Sequence, residues 1–232
     1  LGETVGVQAP YLVFDQQEFR RNVGLYSDLY RLDRRTGDVR ALTREQRLMD
    51  PDVATDGRIV AVRQRQDRRE LVLVPPALRA DSGIPTEAIT VIASAADEQF
   101  SVPKWSPDGR TVAVERRRLG ALPDLVIVDV ATRAVRLLAA DPAARIVTPA
   151  WRPDGQAVVA AADFDGGAFE LYEFPLEGGP ATRLTQSNGA YWPDVSPDGR
   201  SIVYAGYTAR GFDLFLMPYP ERAPRTARSQ TS

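Results

Sequence analysis

The side chains here that could do chemistry are carboxylates and guanidiniums. The 232-residue chain carries 31 Asp and Glu, 29 Arg and Lys, no His and no Cys. Without imidazole or thiol there is no Ser-His-Asp or Cys-His couple, no HExxH zinc site and no thiolate metal centre. No G-x-S-x-G elbow, Walker loop or G-x-G-x-x-G turn occurs either. Carboxylate chemistry remains. Asp163 and Asp165 in DFDGG are spaced for acid–base work or for Ca²⁺ held through oxygens. No acid stands at the far end of an EF-type spacing, so a hairpin loop is the favoured reading. A second set of acids (Asp28, Glu70, Asp124, Glu170 and Asp213) precedes apolar runs at regular intervals. An acid repeated in every unit is expected to be structural. Two arginine groups, Arg63/Arg65/Arg68/Arg69 and Arg116–Arg118, could meet an anionic partner. Their neighbours Asp67, Glu70 and Glu115 favour solvated loop charge instead.

What must position these residues is a repeat. The chain spells PDVATDGR at 51–58, PKWSPDGR at 103–110, PAWRPDGQ at 149–156 and PDVSPDGR at 193–200. Each copy has a Pro, then an Asp five residues on, then Gly: Pro51/Asp56/Gly57, Pro103/Asp108/Gly109, Pro149/Asp154/Gly155 and Pro193/Asp198/Gly199. A step of roughly 40–50 residues between β-rich units is the mark of propeller blades. In the turn, Pro sets φ near −65°, Asp accepts a local backbone N–H, and Gly takes the positive φ. Three residues before each Asp stand Val53, Trp105, Trp151 and Val195, apolar groups expected to pack between blades. The Pro five before each Asp is expected where the innermost strand begins, a place that can lack an N–H.

After each Asp-Gly comes an apolar run with β-branched residues: 58–65, 110–117, 156–163 and 200–207. An acid-led strand, a short outer strand, and the innermost strand of the next unit follow. Residues 11–16, 27–33 and 38–43 match the second, third and fourth strands of an earlier, eroded unit. The fold class is therefore an all-β propeller of four-stranded antiparallel blades, about five of them, complete or part of a six- or seven-bladed ring. Residues 1–217 are expected to form the propeller and 218–232 a tail or linker. The last blade lacks an evident outer strand, and Glu3–Val7 is one candidate to supply it. The Pro-rich stretch 74–85 reads as a loop inserted within a blade.

The phrase P-x-W-S-P-D-G-R-φ-φ-A followed by a D-φ-Y/F-φ strand resembles the WD40-like PD40 repeat of TolB-type β-propellers. Related repeats occur in prolyl-oligopeptidase-like and tricorn-type proteases. The resemblance covers residues 11–217 and lacks the separate N-terminal α/β domain of TolB. It also extends to the propeller halves of multidomain exported bacterial proteins, some with a metallopeptidase domain. It implies a non-catalytic binding module in an exported, periplasmic or secreted protein, fused to another domain. Its alternative is a substrate-gating propeller whose hydrolase lies elsewhere.

Net charge is −2, so no global field recruits nucleic acid or anionic lipid. No apolar run approaches the ~18 residues of a membrane span, and LGETVGVQAP lacks the basic and apolar regions of a signal peptide. No cofactor is expected. The positions that vary between units are the ones able to carry specificity. Four before each Asp stand Asp52, Lys104, Ala150 and Asp194; farther upstream lie Asp50, Gln99, Arg145 and Tyr191. Inner strands line a propeller's channel, so Asp50, Asp52, Gln99, Lys104, Arg145, Tyr191 and Asp194 are the candidates to bind a protein or peptide at its mouth. A hydrated channel lining is the bland alternative.

Overall fold

Each Asp-Gly turn closes a hairpin, and among the described residues the hairpins assemble into five antiparallel blades, the second and third joined by a parallel bridge from Arg69 to Gln99. The computed structural model describes residues 5–20, 24–76, 83–187 and 189–220; Glu3, much of the 74–85 loop and residues 221–232 lie outside them. The first blade runs β1 (Val5–Gln8), β2 (Tyr11–Arg20), β3 (Gly24–Asp33) and β4 (Val39–Ala41), paired in that order. The second holds β5 (Leu48–Val53), β6 (Ile59–Gln64), β7 (Arg69–Val74) and β8 (Thr90–Ala93). The third holds β9 (Glu98–Trp105), β10 (Thr111–Arg118), β11 (Asp124–Asp129) and β12 (Val135–Ala139). The fourth holds β13 (Ile146–Trp151), β14 (Ala157–Ala162), β15 (Glu170–Pro175) and β16 (Thr182–Arg183). The fifth has β17 (Ala190–Val195), β18 (Ser201–Thr208) and β19 (Gly211–Pro218), with β19 at its edge among the described residues. The inner strands β1, β5, β9, β13 and β17 pack side by side in chain order around the channel. Val5–Gln8 is thus the inner strand of the first blade, not an outer strand for the last. Its pairing with β2 and its packing on β5 settle this.

Apolar clusters fill each seam between neighbouring blades. Val13 and Leu29 meet Ile59 and Ala61; Val60 and Leu71 meet Val112 and Val114. Leu125 and Ala113 meet Val158 and Ala160; Val159 and Leu171 meet Ile202. Strand β14, sandwiched on both faces, has all six residues of its AVVAAA run buried. That explains a near-continuous apolar strand where a half-exposed sheet would alternate. Each fully buried Leu contributes about 1.5–3 kcal/mol of transfer free energy, so the seams supply much of the stability.

The turns behave as their chemistry dictates. Asp56, Asp108, Asp154 and Asp198 each accept the backbone N–H two residues on, at 3.0–3.1 Å. Gly57, Gly109, Gly155 and Gly199 sit at φ between 67° and 87°. The second blade hides a difference. Val53 pairs with Ile59, whereas Trp105 pairs with Val112, Trp151 with Val158 and Val195 with Ile202. Its hairpin is one residue shorter, so Ile59 takes the place that Val112 holds, despite the identical Asp-Gly-Arg spelling.

In the first and fourth blades the repeated acid ties the third strand to the segment leading into the next blade, and in the second and third it is held by arginines of its own blade. Asp28 accepts the Thr43 hydroxyl at 2.9 Å and the Glu45 and Gln46 N–H groups at 2.6 and 3.0 Å. Glu170 likewise accepts the Thr185 hydroxyl at 2.5 Å and the Ser187 N–H at 2.6 Å. In the second blade Arg63, Arg65 and Arg68 converge on Glu70, and in the third Arg116 and Arg118 hold Asp124. Arg63 is buried with its partner. Arg63 and Arg116 are thus ion-paired framework and not the solvated loop charge that composition suggests, while Arg65 and Arg118 pair with the same acids from half-exposed positions.

Candidate functional site: the channel

Proline builds the channel wall. Pro51, Pro103, Pro149 and Pro193 lie inside β5, β9, β13 and β17 and not at their starts. The residue before each one, Asp50, Val102, Thr148 or Trp192, has φ between 49° and 54°. In β5, β13 and β17 the ladder skips at this point; β9 is irregular against β10 there too. Each pair is a β-bulge, which frees the backbone from ladder bonding, so the missing proline N–H costs nothing. Positive φ is costly for residues with a Cβ, and its fourfold recurrence marks a built feature.

The bulge turns N–H groups along the circumference. The Asp50 N–H donates to Asp15 Oδ1 at 3.3 Å, the Val102 N–H to Asp50 Oδ2 at 3.2 Å, and the Trp192 N–H to Thr148 Oγ1 at 3.3 Å. Side chains at the bulge then face the channel. Asp50, Val102, Thr148 and Trp192 line a cavity of about 580 Å³ at the mouth where the inner strands begin, with Asp15, Arg69 and Glu115. A second cavity, about 400 Å³, lies toward the Asp-Gly turns and is lined by Asp52, Lys104, Ala150 and Asp194. The two share Val102, Thr148 and Trp192.

Behind this lining, the repeat tryptophans lock the wall. The Trp105 indole N–H donates to the Asp52 carbonyl at 3.2 Å, and that of Trp151 to the Lys104 carbonyl at 2.9 Å. Asp52 Oδ2 also accepts the Trp105 backbone N–H at 2.8 Å. Arg58 stacks over Trp105 at 4.8 Å and donates to the Gly109 carbonyl at 2.7 Å, joining one turn to the next. Val53 fills the same position against Gly6; a methyl group on Gly6 would stand 2.5 Å from Val53 Cγ2.

Acids dominate the lining. Burial pushes the Asp15 carboxyl up, and the negative charge of Asp50 pushes it further. Asp50 is raised by burial as well, partly offset by the Val102 N–H, Arg69 and Lys104. Asp52 is raised by burial against the pull of Lys104, whose Nζ stands 3.7 Å from Asp52 Oδ1; Asp194 pushes the same way as burial. These acids can accept hydrogen bonds and share protons, beside the indole of Trp192 and the rings of Tyr191 and Phe212.

Of the sequence candidates, the structure brings Asp50 and Tyr191 to the first cavity and Asp52, Lys104 and Asp194 to the second. Gln99 is exposed and bridges to Arg69 of β7, outside both. Arg145 is turned aside: it pairs with Asp163, Nε to Oδ2 2.8 Å, and stacks on Phe169 at 4.6 Å. It lines a shallow hollow with Tyr191, Tyr207 and Phe212. Sequence reasoning did not place Asp15, Val102, Glu115, Thr148, Trp192 and Phe212 at the channel, and it named Arg69 only within an arginine group able to meet an anionic partner. Three of them share a position, since Val102, Thr148 and Trp192 fall just before Pro103, Pro149 and Pro193, but the positive φ that turns them inward runs against the local preference of a residue before proline. Asp163 serves as the Arg145 partner in the hairpin between β14 and β15, and the Asp165 side chain lies outside the described residues. Among the described residues no three His, Cys, Asp or Glu side chains gather to hold a metal ion.

Comparison with known proteins agrees with this geometry. The PD40 family, described as the TolB beta propeller domain, matches residues 80–223. An uncharacterized protein of Agrobacterium fabrum, Atu1656, is 28% identical over 121 residues, which is 52% of this chain and 40% of the relative. TolB from Acinetobacter baumannii superposes with a TM-score of 0.70 at 18% identity, over 89% of this chain and 50% of that one. A TolB-type structure from Agrobacterium tumefaciens gives 0.73 at 20% identity, over 94% and 77%. A puromycin hydrolase gives 0.68 at 17% identity, over 92% of this chain and 35% of the hydrolase. The chain thus spans half or less of the Atu1656 and Acinetobacter TolB chains.

Proposed function

The chain belongs to the TolB β-propeller domain family, and from that premise we propose that it is a non-catalytic binding module that holds a protein or peptide in its channel. The reading includes export from a bacterial cell to the periplasm or beyond, and fusion to a further domain in the full-length protein; both rest on the family likeness. The observation that carries the binding role is the pair of joined cavities lined by blade-specific residues on a rigid wall. Repeat positions that serve the fold alone hold similar residues in every blade, as the acid and the Leu after it do. The positions lining the channel do not: Asp50, Val102, Thr148 and Trp192 in one ring, Asp52, Lys104, Ala150 and Asp194 in the next. A rigid scaffold with varied inward groups suits recognition.

The test is partner capture by the wild-type chain and by Asp52→Lys, Lys104→Glu and Asp194→Lys variants, with folding checked by circular dichroism. Loss of the captured partner in folded variants is the expected result. Unchanged capture in all three removes the channel from consideration.

A second reading is a propeller that selects substrates for a hydrolase carried elsewhere in the same polypeptide. The fold shared with the puromycin hydrolase, of which this chain covers 35%, favours it. Deleting the propeller from the full-length protein would then broaden the size range of substrates cleaved, while plain binding leaves no such activity to change.

A further inference from the structure

Among the described residues, most buried acids of this chain face an arginine. Glu70 pairs with Arg63, Asp124 with Arg116 and Asp163 with Arg145, each at 2.8 Å, and Glu173 pairs with Arg152 at 3.1 Å. Asp28 has no arginine but holds the Thr43 hydroxyl and two loop N–H groups. Asp15, only 3% exposed, and its half-buried neighbour Asp50 have neither arrangement. Asp15 accepts the Ser27 hydroxyl at 3.2 Å and the Asp50 N–H at 3.3 Å; Asp50 accepts the Val102 N–H at 3.2 Å. Among the described residues neither makes an ion pair, and Arg69 and Lys104 reach Asp50 only from longer range. Buried carboxylates held by long, neutral hydrogen bonds are short of counter-charge. Burial raises the Asp15 carboxyl and the Asp50 charge raises it further; a cation beside the two would offset both effects.

The same cavity has an aromatic wall. Tyr191, Trp192 and Phe212 line it, with Trp192 37% and Phe212 62% exposed. The Tyr191 ring stands 5.9 Å from Phe212 and 4.6 Å from Phe169, centroid to centroid. This row continues into the hollow where Arg145 stacks on Phe169 and pairs with Asp163. One end of the row therefore already holds a guanidinium between a ring and a carboxylate. At the other end, rings and carboxylates share one cavity with no arginine of the chain paired to those acids; Arg69, which also lines it, donates its Nε–H to Gln64 at 3.0 Å. Charge points the same way. Among the described residues five acids and two bases line the two joined cavities, against 31 and 29 in the whole chain. The negative field is thus concentrated in the channel, whose low-dielectric walls focus it.

We propose that the cavity at the strand-start mouth takes a basic side chain of the bound partner, arginine before lysine, with its charged head on Asp50 and Asp15 and its flank on the rings of Trp192, Tyr191 and Phe212. A planar guanidinium suits both walls, since it stacks on a ring while its edge donates to a carboxylate. The inference rests on the channel as the place of binding and adds the class of partner: a peptide or protein segment that presents a basic residue.

Random peptides selected on the immobilised wild-type chain provide the probe, read by a fluorophore on Gln17→Cys, a position that lines the same cavity. Peptides that shift its emission should be enriched in Arg and Lys. Replacing the enriched arginine by citrulline, its neutral isostere, should weaken binding to the wild type by about ten-fold or more. That penalty should shrink at least about three-fold in Asp50→Asn, which keeps an acceptor for the Val102 N–H. Trp192→Ala, a change at an exposed ring, should weaken the arginine peptide by about three-fold or more. Peptides that shift the fluorophore yet tolerate citrulline, or a citrulline penalty unchanged in Asp50→Asn, would overturn the basic-residue inference and leave channel binding standing. Selected peptides that bind without any shift at position 17 would overturn the channel reading along with it.

Discussion

Trp105 and Trp151 do two jobs at once: they fill a seam with apolar area and tie two inner strands through the indole N–H. Replacing either buried ring by Ala leaves a cavity and an unpaired carbonyl, with an expected cost of about 3–5 kcal/mol. Trp151→Phe keeps most of the volume and loses the bond to the Lys104 carbonyl, for about 1 kcal/mol. Urea titration at constant m reads both; a loss under about 1 kcal/mol for Trp151→Ala would contradict the packing. The channel acids have a different signature. A carboxyl raised in the folded state binds its proton more tightly there than in the unfolded chain. Its contribution to stability therefore falls as pH rises through the raised value, and is recovered as pH drops toward the ordinary Asp value of 3.8. Asp50→Asn, which can still accept the Val102 N–H, removes the buried charge and its repulsion of Asp15 while giving up the attraction of Arg69 and Lys104. The variant should be more stable than wild type at neutral pH, and the gap should close on acidification to about pH 4. A gap of constant size across that range would mean these acids are not raised. At this scale the sequence was legible where spacing fixes a residue's strand. It was opaque where a bulge fixes its direction: Asp52 and Lys104 were readable from the turn, but Trp192 and Thr148 need a positive φ before proline that local preference argues against.

The sheet hairpins were legible because turn chemistry and apolar runs agree. Pro-Asp-Gly, β-branched strands and acid-led third strands pointed to the same antiparallel unit. Two features at this scale escaped. The one-residue shortening in the second blade leaves Asp-Gly-Arg untouched, and register there depends on Val53 meeting Ile59, a pairing that a motif count does not expose. The four-residue β1 was too short for its apolar pattern to identify its sheet, and only packing of Gly6 against Val53 makes it an inner strand. The acid's tie to the segment beyond its blade can be tested as an element. Asp28→Ala strands the Thr43 hydroxyl and two loop N–H groups in a buried site, at an expected cost of about 3 kcal/mol. The matching change at the exposed acid of the fifth blade, Asp213→Ala, should cost under about 0.5 kcal/mol. Chemical denaturation of the two variants side by side checks this, and equal losses would show that the acid acts within its own strand instead of between blades.

As a whole, the molecule is a set of sheets whose stability lies in the seams and whose variety lies in the channel. The repeat period made the radial plan readable, since each sheet buries its faces only against the next. The channel lining was less readable because it is assembled from five inner strands, and Asp15 and Phe212 reach it from second and third strands. The absence of cysteine permits a direct examination of that surface. Gln17 is exposed and lines the cavity at the strand-start mouth, whereas Ala131 lies exposed in the β11–β12 turn near the Asp-Gly end. Gln17→Cys and Ala131→Cys variants, each labelled with an environment-sensitive fluorophore, would be titrated with peptides selected on the immobilised wild-type chain. The account predicts a saturable emission shift at position 17 and none at 131. A shift confined to position 131, or binding that leaves position 17 silent, would contradict the channel as the place where this propeller takes its partner.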